Sequence, residues 1–404
     1  MEPQPSKLHT QLAIAVALLA KGKNVIKSPL KVGDTHAMLK AVDQLGATAN
    51  RTKERWTIWA SDELKPVQGF LDVKNSATGL ALLAAVATIS NEPTVLNGDG
   101  QLRSRQMSPF VNVFRRLGAD VNSTKLNESP PLLVMGGGMK GGKASIGVAE
   151  ARHLPALAVA APYAEKEVEL HFGEIGKIFA EPAAEVLSSA RVKPVMTKRG
   201  ITFPRHPFRP FRYSVRKEVV GVAPAILAGC VSGEVKFSVD NMSARDEAFI
   251  KSLGAFGVKS ERKGKNWRLW GGHLKGAELD MSWAPELVPL MAVLASMAEG
   301  RSVITNAGEA RAMKSDRISA ISQELKKMGG KVLEEVDGLI VEGPAKFKGC
   351  EVDSHGDYMV VAALAVAGMF ADGKTVVKGA EATGTSYYRF TSSLREIGAE
   401  VVYA

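Results

Sequence analysis

Cysteine is almost absent: Cys230 and Cys350 are the only two. At most one pairing is available, so no disulfide framework can hold the fold, and no Cys/His grouping has zinc-ligand spacing. That scarcity fits a reducing cytosol. Long hydrophobic runs are missing as well. The most apolar stretches, "LAIAVALLA" and "VVAALAVAGMF", fall short of the ~18–20 residues that cross a bilayer, so they read as buried helices and no membrane span is expected. The opening "MEPQPSKLHTQ" has no basic segment leading into an apolar core, and no signal peptide is read there. Acidic residues are outnumbered, 42 against 52 basic ones, for a formal charge of +10. Such a balance favours anionic partners, namely phosphorylated metabolites, nucleic acid or an anionic membrane, with a merely solvated basic surface as the plain alternative.

What the chain does have is ordinary globular composition, 45% hydrophobic and 23% charged over 404 residues. That length exceeds a single ordinary core, so two domains of roughly 200 residues are expected. Five segments share a helix that ends in a glycine and runs at once into a β-like stretch: "AVDQLGATANR", "VFRRLGADVNS", "SLGAFGVKSER", "ELKKMGGKVLEE" and "SLREIGAEVV". The glycine suits a left-handed C′ cap. Alternating with them are Ala/Leu-rich helices that turn into Val/Ile/Thr strands, such as "ALLAKGKNVIKSP" and "VAGMFADGKTVVKG". Together they predict a βαβα-type unit of about 60 residues, repeated about three times in each of two α/β domains. Helices apolar on nearly every side, 155–162 and 359–370, belong inside a ring of neighbours. The stretch "PRHPFRPFRYSVRK" (204–217) breaks the pattern near mid-chain. Its prolines read as a stiff interdomain crossover; a basic, aromatic nucleic-acid platform is the alternative.

Several short motifs carry candidate chemistry. "GGGMKGGKAS" (136–145) nearly spells a phosphate-binding loop, but Ala144 cannot ligate magnesium and "ASIGV" reads as a strand, so it is taken as a glycine-rich connection. "VKNSATGLALLAAVAT" (73–88) places Asn75, Ser76 and Thr78 ahead of an apolar helix whose free N–H groups suit an anion, or simply a capped helix. "LNGDGQLRSRQM" (96–107) offers Arg103 and Arg105, and arginine binds carboxylate or phosphate bidentately. Lys7 precedes the first helix, and His355 and Asp357 lie in a turn before a buried one. "RAMKSDR" (311–317) packs four charges ahead of the amphipathic "ISAISQELKKMGG", with the apolar Met313 between Arg311 and Lys314.

Taken in order, "PSKLHTQ", "NSATGLA", "GDGQLRSRQM", "DMSWAPELVPLMAVLA", "RAMKSDR" and "SHGDYMVVAAL" resemble the motifs of the 5-enolpyruvylshikimate-3-phosphate (EPSP) synthase family, particularly its archaeal-type sequences, over nearly the whole chain. The resemblance implies a two-domain enolpyruvyl transferase-like α/β fold, an inside-out α/β barrel in which each domain holds three βαβαββ repeats. The domains are expected over 6–213 and over 214–404 with 1–5, with a hinge near 204–217. It implies transfer of the enolpyruvyl group of phosphoenolpyruvate (PEP) to the 5-hydroxyl of shikimate 3-phosphate, without metal or organic cofactor, by a cytoplasmic monomer of aromatic amino acid biosynthesis. Nucleic acid is not expected as a partner.

Position by position, the resemblance assigns Lys7, Asn75, Ala77, Arg105, Asp316 and Arg317 to PEP or anion binding. It assigns Glu286, Lys7 and Lys314 to catalysis, and Asp34, Glu150 and Arg152 to the acceptor. Several positions depart from the family pattern: Leu8, Leu12, Ala77, the Glu150–Ala151–Arg152 triplet, Gly176, Phe179, Met313, Lys314, Met359 and Thr385, with Glu286 in place of Asp. The expected function is therefore a divergent carboxyvinyl transferase using PEP and a hydroxylated anionic acceptor. A non-catalytic paralogue that binds a metabolite or partner is one alternative, and a genuine 3-phosphoshikimate 1-carboxyvinyltransferase is another.

Overall fold

The five glycines that the repeat pattern places after helices all take left-handed φ angles: Gly46 (+87°), Gly118 (+80°), Gly257 (+93°), Gly329 (+94°) and Gly398 (+92°). A residue with a Cβ is strained there, so glycine stops each helix and redirects the chain. Four of the turns feed a strand, Thr48–Arg51, Val121–Ser123, Lys259–Lys263 and Lys331–Glu335. No strand follows Gly398 among the described residues. The computed structural model describes residues 1–387 and 389–402; the side chain of Thr385 lies outside that description.

The chain forms two compact units, one over Pro5–Arg216 and one from Lys217 onward that also takes in Met1–Gln4. In the first unit a strand–helix–strand–helix–strand–strand order recurs. One copy runs Leu71–Asp72, Ala77–Ala87, Thr94–Asn97, Ser108–Arg116, Val121–Ser123 and Leu132–Val134. Its first two strands pair in parallel and the others antiparallel. Another runs Gly142–Ser145, Leu154–Ala160, Val168–His171, Glu174–Ser189, Val195–Thr197 and Gly200–Phe203 with the same pairing. Gly142–Ser145 is thus a strand, as the glycine-rich connection requires.

The remaining copy is closed from far along the chain. Lys7–Leu19, Gly22–Lys27, Gly33–Gln44, Thr48–Arg51 and Arg55–Ala60 supply all but its first strand. That strand is Arg212–Ser214, parallel to Gly22–Lys27 with Arg212 opposite Val25 and Ser214 opposite Lys27. The segment 204–217 is therefore more than the stiff crossover its prolines suggest. Phe208, Phe211, Tyr213 and Val215 are buried in this unit's core. The aromatic rings that a nucleic-acid platform would need from this segment face inward.

The second unit holds one complete copy: Glu278–Asp280, Val288–Met297, Gly300–Thr305, Arg317–Lys327, Lys331–Glu335 and Gly338–Gly343. Ahead of it, Ala223–Ser232, Glu234–Ser238, Ala244–Ala255, Lys259–Lys263 and Asn266–Trp270 form a second set. After it come Glu351–Asp353, Tyr358–Met369 and Val376–Lys378, and the described residues contain no closing strand pair there. In each unit the most apolar helices pack on one another inside the sheets: Lys7–Leu19, Ala77–Ala87 and Leu154–Ala160 in one, and Ala223–Ser232 and Val288–Met297 against Tyr358–Met369 in the other. Alanine on every side of these helices lets their axes approach closely, so burial is complete all round rather than along one stripe.

Candidate active site

In the Pro5–Arg216 unit the candidate residues gather at helix starts. Ser6 caps Lys7–Leu19, accepting from the His9 N–H at 3.2 Å. Lys7 Nζ lies 3.0 Å from Asp34 Oδ2. Asp34 is buried in the first turn of Gly33–Gln44, where the helix dipole favours a carboxylate. One turn along, Gln11 Nε2 donates to Ser76 Oγ at 2.8 Å, and Ser76 also accepts from the Gly79 N–H at 3.0 Å as the cap of Ala77–Ala87. The two inner helices are thereby tied start to start. Asn75 sits immediately before that cap, accepting from Arg105 Nη2 and donating to Gln101 Oε1. Arg105 follows the short turn Leu102–Ser104, which buried Leu102 anchors. Lys7–Asp34 and Asn75–Arg105 are thus two polar pairs at the starts of helices that Gln11 and Ser76 join, with Ala77 at the first helical position after Ser76.

The other positions of this unit are differently employed. Glu150 Oε2 accepts from the Gly147 N–H at 3.0 Å and pairs with Arg116 Nη2 at 2.9 Å. Arg152 ends the turn Val148–Ala151 and adjoins His153, whose burial, helped by the Arg152 charge, pushes its imidazole down to about 3. Leu12 is fully buried in the core. Gly176 lies against the Phe172 ring, which occupies the space any side chain there would need.

In the other unit Arg317 is the hub. It is 2% exposed and forks onto Asp357, which is fully buried: Nε to Oδ2 at 2.7 Å and Nη2 to Oδ1 at 2.8 Å. Its Nη1 donates to the Glu286 carbonyl at 3.1 Å and meets Met313 Sδ at 3.1 Å. Burial works against both charges, but each partner more than offsets it, so Asp357 is held below the usual carboxylate range and Arg317 is held charged. The Tyr358 ring lies under two cations, Lys314 Nζ at 5.6 Å and the Arg317 guanidinium at 5.3 Å from its centroid. The Glu286 carboxylate pairs with Arg245, from the first turn of Ala244–Ala255. Asp316 caps Arg317–Lys327 through the Ser319 N–H at 3.0 Å and binds Arg311 Nη1 at 2.8 Å. His355 and Asp357 part company, since His355 Nε2 lies 3.1 Å from Glu324 Oε1.

Sequence reasoning missed Arg245, Arg116 and Gln11, each of which touches a candidate residue. For Gln11 a signal existed: it lies one helical turn beyond Lys7, on the same side as the helix start. Arg245 follows the cap Ser243 by two positions, and nothing in its spacing points to Glu286. No group of three or more His, Cys, Asp or Glu suited to a metal lies among the described residues, and no helix among them is long and apolar enough to cross a membrane.

Repeated βαβαββ units with polar helix starts define an α/β fold of the enolpyruvyl transferase kind. The chain superposes with a TM-score of 0.79 on the EPSP synthase of Acinetobacter baumannii, at 23% identity over 98% of this chain and 95% of that one. It gives the same score against the enolpyruvyl transferase NikO of Streptomyces tendae, at 16% identity over 99% and 94%. These likenesses show the fold. The family model for EPSP synthase (3-phosphoshikimate 1-carboxyvinyltransferase) matches residues 1–394. Proteins named 3-phosphoshikimate 1-carboxyvinyltransferase from Methanosarcina mazei and Methanococcus vannielii are 34% and 31% identical, each over 98% of this chain and 95% of its own length. The chain belongs to the EPSP synthase family.

Proposed function

We propose that this chain is an enolpyruvyl transferase that takes PEP and a hydroxylated, anionic acceptor. The observation that carries the reading is that the pairs Lys7–Asp34 and Asn75–Arg105 stand at the starts of two inner helices joined by the Gln11–Ser76 bond. Backbone N–H groups, a dipole-positive helix end and arginine or lysine side chains together make an anion site. In the reaction the acceptor hydroxyl adds to C2 of PEP as a proton reaches the methylene carbon. The tetrahedral intermediate then loses phosphate and one proton of that carbon. Lys7 and Arg105 would hold PEP, with Asn75 and Ala77 shaping the helix start. Glu286, Lys314 and Lys7 would move the protons, and Asp34, Glu150 and Arg152 would face the acceptor. Arg317 and Asp316 enter this scheme as groups that fix the turn before Arg317–Lys327, because the Arg317 fork is already engaged with Asp357, the Glu286 carbonyl and Met313.

That engagement is also the observation favouring a second reading, a binding protein without turnover. Shikimate 3-phosphate, the substrate in the relatives' names, is the acceptor to try first. The test is the melting temperature with PEP and with shikimate 3-phosphate, alone and together, followed by a phosphate-release assay. A ligand at a hundred times its dissociation constant adds about 2.7 kcal/mol, a rise of several degrees. PEP-dependent stabilisation is expected. Phosphate release with shikimate 3-phosphate would identify the ordinary family reaction, and stabilisation by PEP without it would point to another acceptor or to binding alone. No shift with PEP under either condition would overturn the proposal.

A further inference from the structure

We propose that the outer face of the first sheet, built from Arg212–Ser214, Gly22–Lys27, Arg55–Ala60 and Thr48–Arg51, binds single-stranded nucleic acid. Strand pairing decides which side chains share that face. Lys23 stands opposite Trp59 and Lys27 opposite Arg55 across the antiparallel pair, while Arg212 stands beside Val25 across the parallel one. Because successive side chains alternate, Lys23, Val25 and Lys27 point one way together with Arg55, Thr57, Trp59, Thr48, Asn50, Arg212 and Ser214. Four of these are cations, none is an acid, and all four cations are exposed. Among the described residues none of the four pairs with a carboxylate. Trp59 is 39% exposed, unusual for so large an apolar ring, and Lys23 Nζ lies 5.9 Å from its centroid.

Three other sheets of this repeating fold provide internal comparison, because acids stand among the cations on their outer faces. In the sheet of Gly142–Ser145, Glu169 takes Lys143 at 2.7 Å and His171 at 3.0 Å. On the sheet of Glu234–Ser238, Arg268 Nε bonds Glu234 at 2.6 Å, and Lys263 pairs with Glu261 at 3.0 Å. In the complete copy of the second unit, Glu342 lies between Arg301 and Lys331 in register. The first sheet differs from these in having no acid at all on its face. Acids occur only at its margins: Glu54 in the hairpin turn, and Asp62 paired with Lys21 at 2.8 Å.

An unneutralised set of cations spread over three adjacent strands fits a flexible polyanion, and the exposed indole narrows the choice. Unstacked bases gain from lying on an aromatic face, whereas the bases of a duplex are already stacked on one another. Thr48, Asn50 and Ser214 add hydrogen-bonding groups at the edges. The face thus joins an electrostatic track to a stacking platform, and it needs no sequence preference. The inference is independent of the enolpyruvyl transfer reading, since no residue proposed for that chemistry lies on this face.

The experiment is fluorescence anisotropy of the full chain with a labelled oligothymidylate of about 15 residues, titrated between about 50 and 200 mM salt. Four phosphate contacts predict that log K falls with log salt at a slope of about −2.8, and Lys27→Ala should reduce that slope by about 0.7. Trp59→Ala should weaken binding by about 5- to 150-fold with the slope unchanged. Both side chains are exposed, so the variants should melt with the parent, which a thermal scan checks. Three outcomes would overturn the proposal: no binding at the lowest salt, salt-sensitive binding that Trp59→Ala leaves untouched, or equal displacement by polyglutamate. The last would mark the face as a site for an acidic protein.

Discussion

Arg317 and Asp357 are both shielded from water, so their mutual attraction stands against a large desolvation cost. A buried pair of this kind contributes little net stability compared with apolar residues of similar volume, yet losing one member leaves an uncompensated charge. Asp357→Leu should therefore cost about 3–5 kcal/mol, while the double change Arg317→Met with Asp357→Leu should cost clearly less than the single one. Urea denaturation of Arg317→Met, Asp357→Leu, the double variant and the parent closes the cycle; a double variant weaker than Asp357→Leu would contradict it. The pair also shows what residue-level reading of the chain can and cannot reach. Arg317 is legible as a cation ahead of an amphipathic helix, and Met313 as an apolar intruder. That Met313 Sδ touches Arg317, and that Asp357, 40 residues on, takes up the guanidinium fork, depends on how the turn folds back. Glu150 repeats the lesson. Its capping role follows from local spacing to Gly147, but its partner Arg116 lies 34 residues away on another helix.

Between elements, a polar cluster joins Lys7–Leu19, Glu174–Ser189 and the strand Arg212–Ser214. Glu185 accepts from Tyr213 Oη at 2.6 Å and from Arg216 Nη1 at 2.9 Å, and His9 Nε2 lies 3.6 Å away; His9 Nδ1 in turn meets Ser6 Oγ at 2.7 Å. Partial burial pushes the Glu185 carboxyl up, but nearby His9, the hydrogen bond from Tyr213 and the Arg216 charge outweigh it and bring it down to about 2. A carboxyl lower in the folded than in the unfolded chain stabilises fully above its unfolded value, 4.5 here, and that contribution is lost as pH falls toward about 2. Glu185→Gln should be less stable than the parent at neutral pH, and the gap should narrow as pH is lowered through about 4 to 3. Denaturation midpoints at several pH values check this, and a constant gap would show that Glu185 acts through packing alone. Of these elements Lys7–Leu19 was legible, because its apolar run is a local signal; Glu174–Ser189 ends at Ala190 without a glycine stop and was not read. Arg212–Ser214 was not, since three residues amid prolines carry no recognisable alternation.

At the scale of the whole chain, that hidden strand decides where the first unit ends. Every other copy in Pro5–Arg216 receives its first strand from the residues just before its inner helix, but the opening copy receives it from Arg212–Ser214, after the third copy is complete. Main-chain bonds from the Val25 N–H to the Phe211 carbonyl at 2.9 Å and from the Val215 N–H to the Lys27 carbonyl at 2.9 Å continue the pairing beyond the strand. Phe208, Phe211, Tyr213 and Val215 are each buried with the core of that unit. Withdrawing four such side chains, at roughly 1.5–3 kcal/mol each, forfeits about 6–12 kcal/mol, which is comparable to the roughly 5–15 kcal/mol that holds a whole domain together. Residues 5–216 expressed alone should therefore melt cooperatively, whereas residues 5–203, which keep all other elements of the three copies, should fail to fold or melt without a transition. Near-ultraviolet circular dichroism with a thermal scan distinguishes the two. A cooperative transition in the shorter piece would mean that the first sheet is stable with an open edge and that the segment 204–217 acts only as a connection.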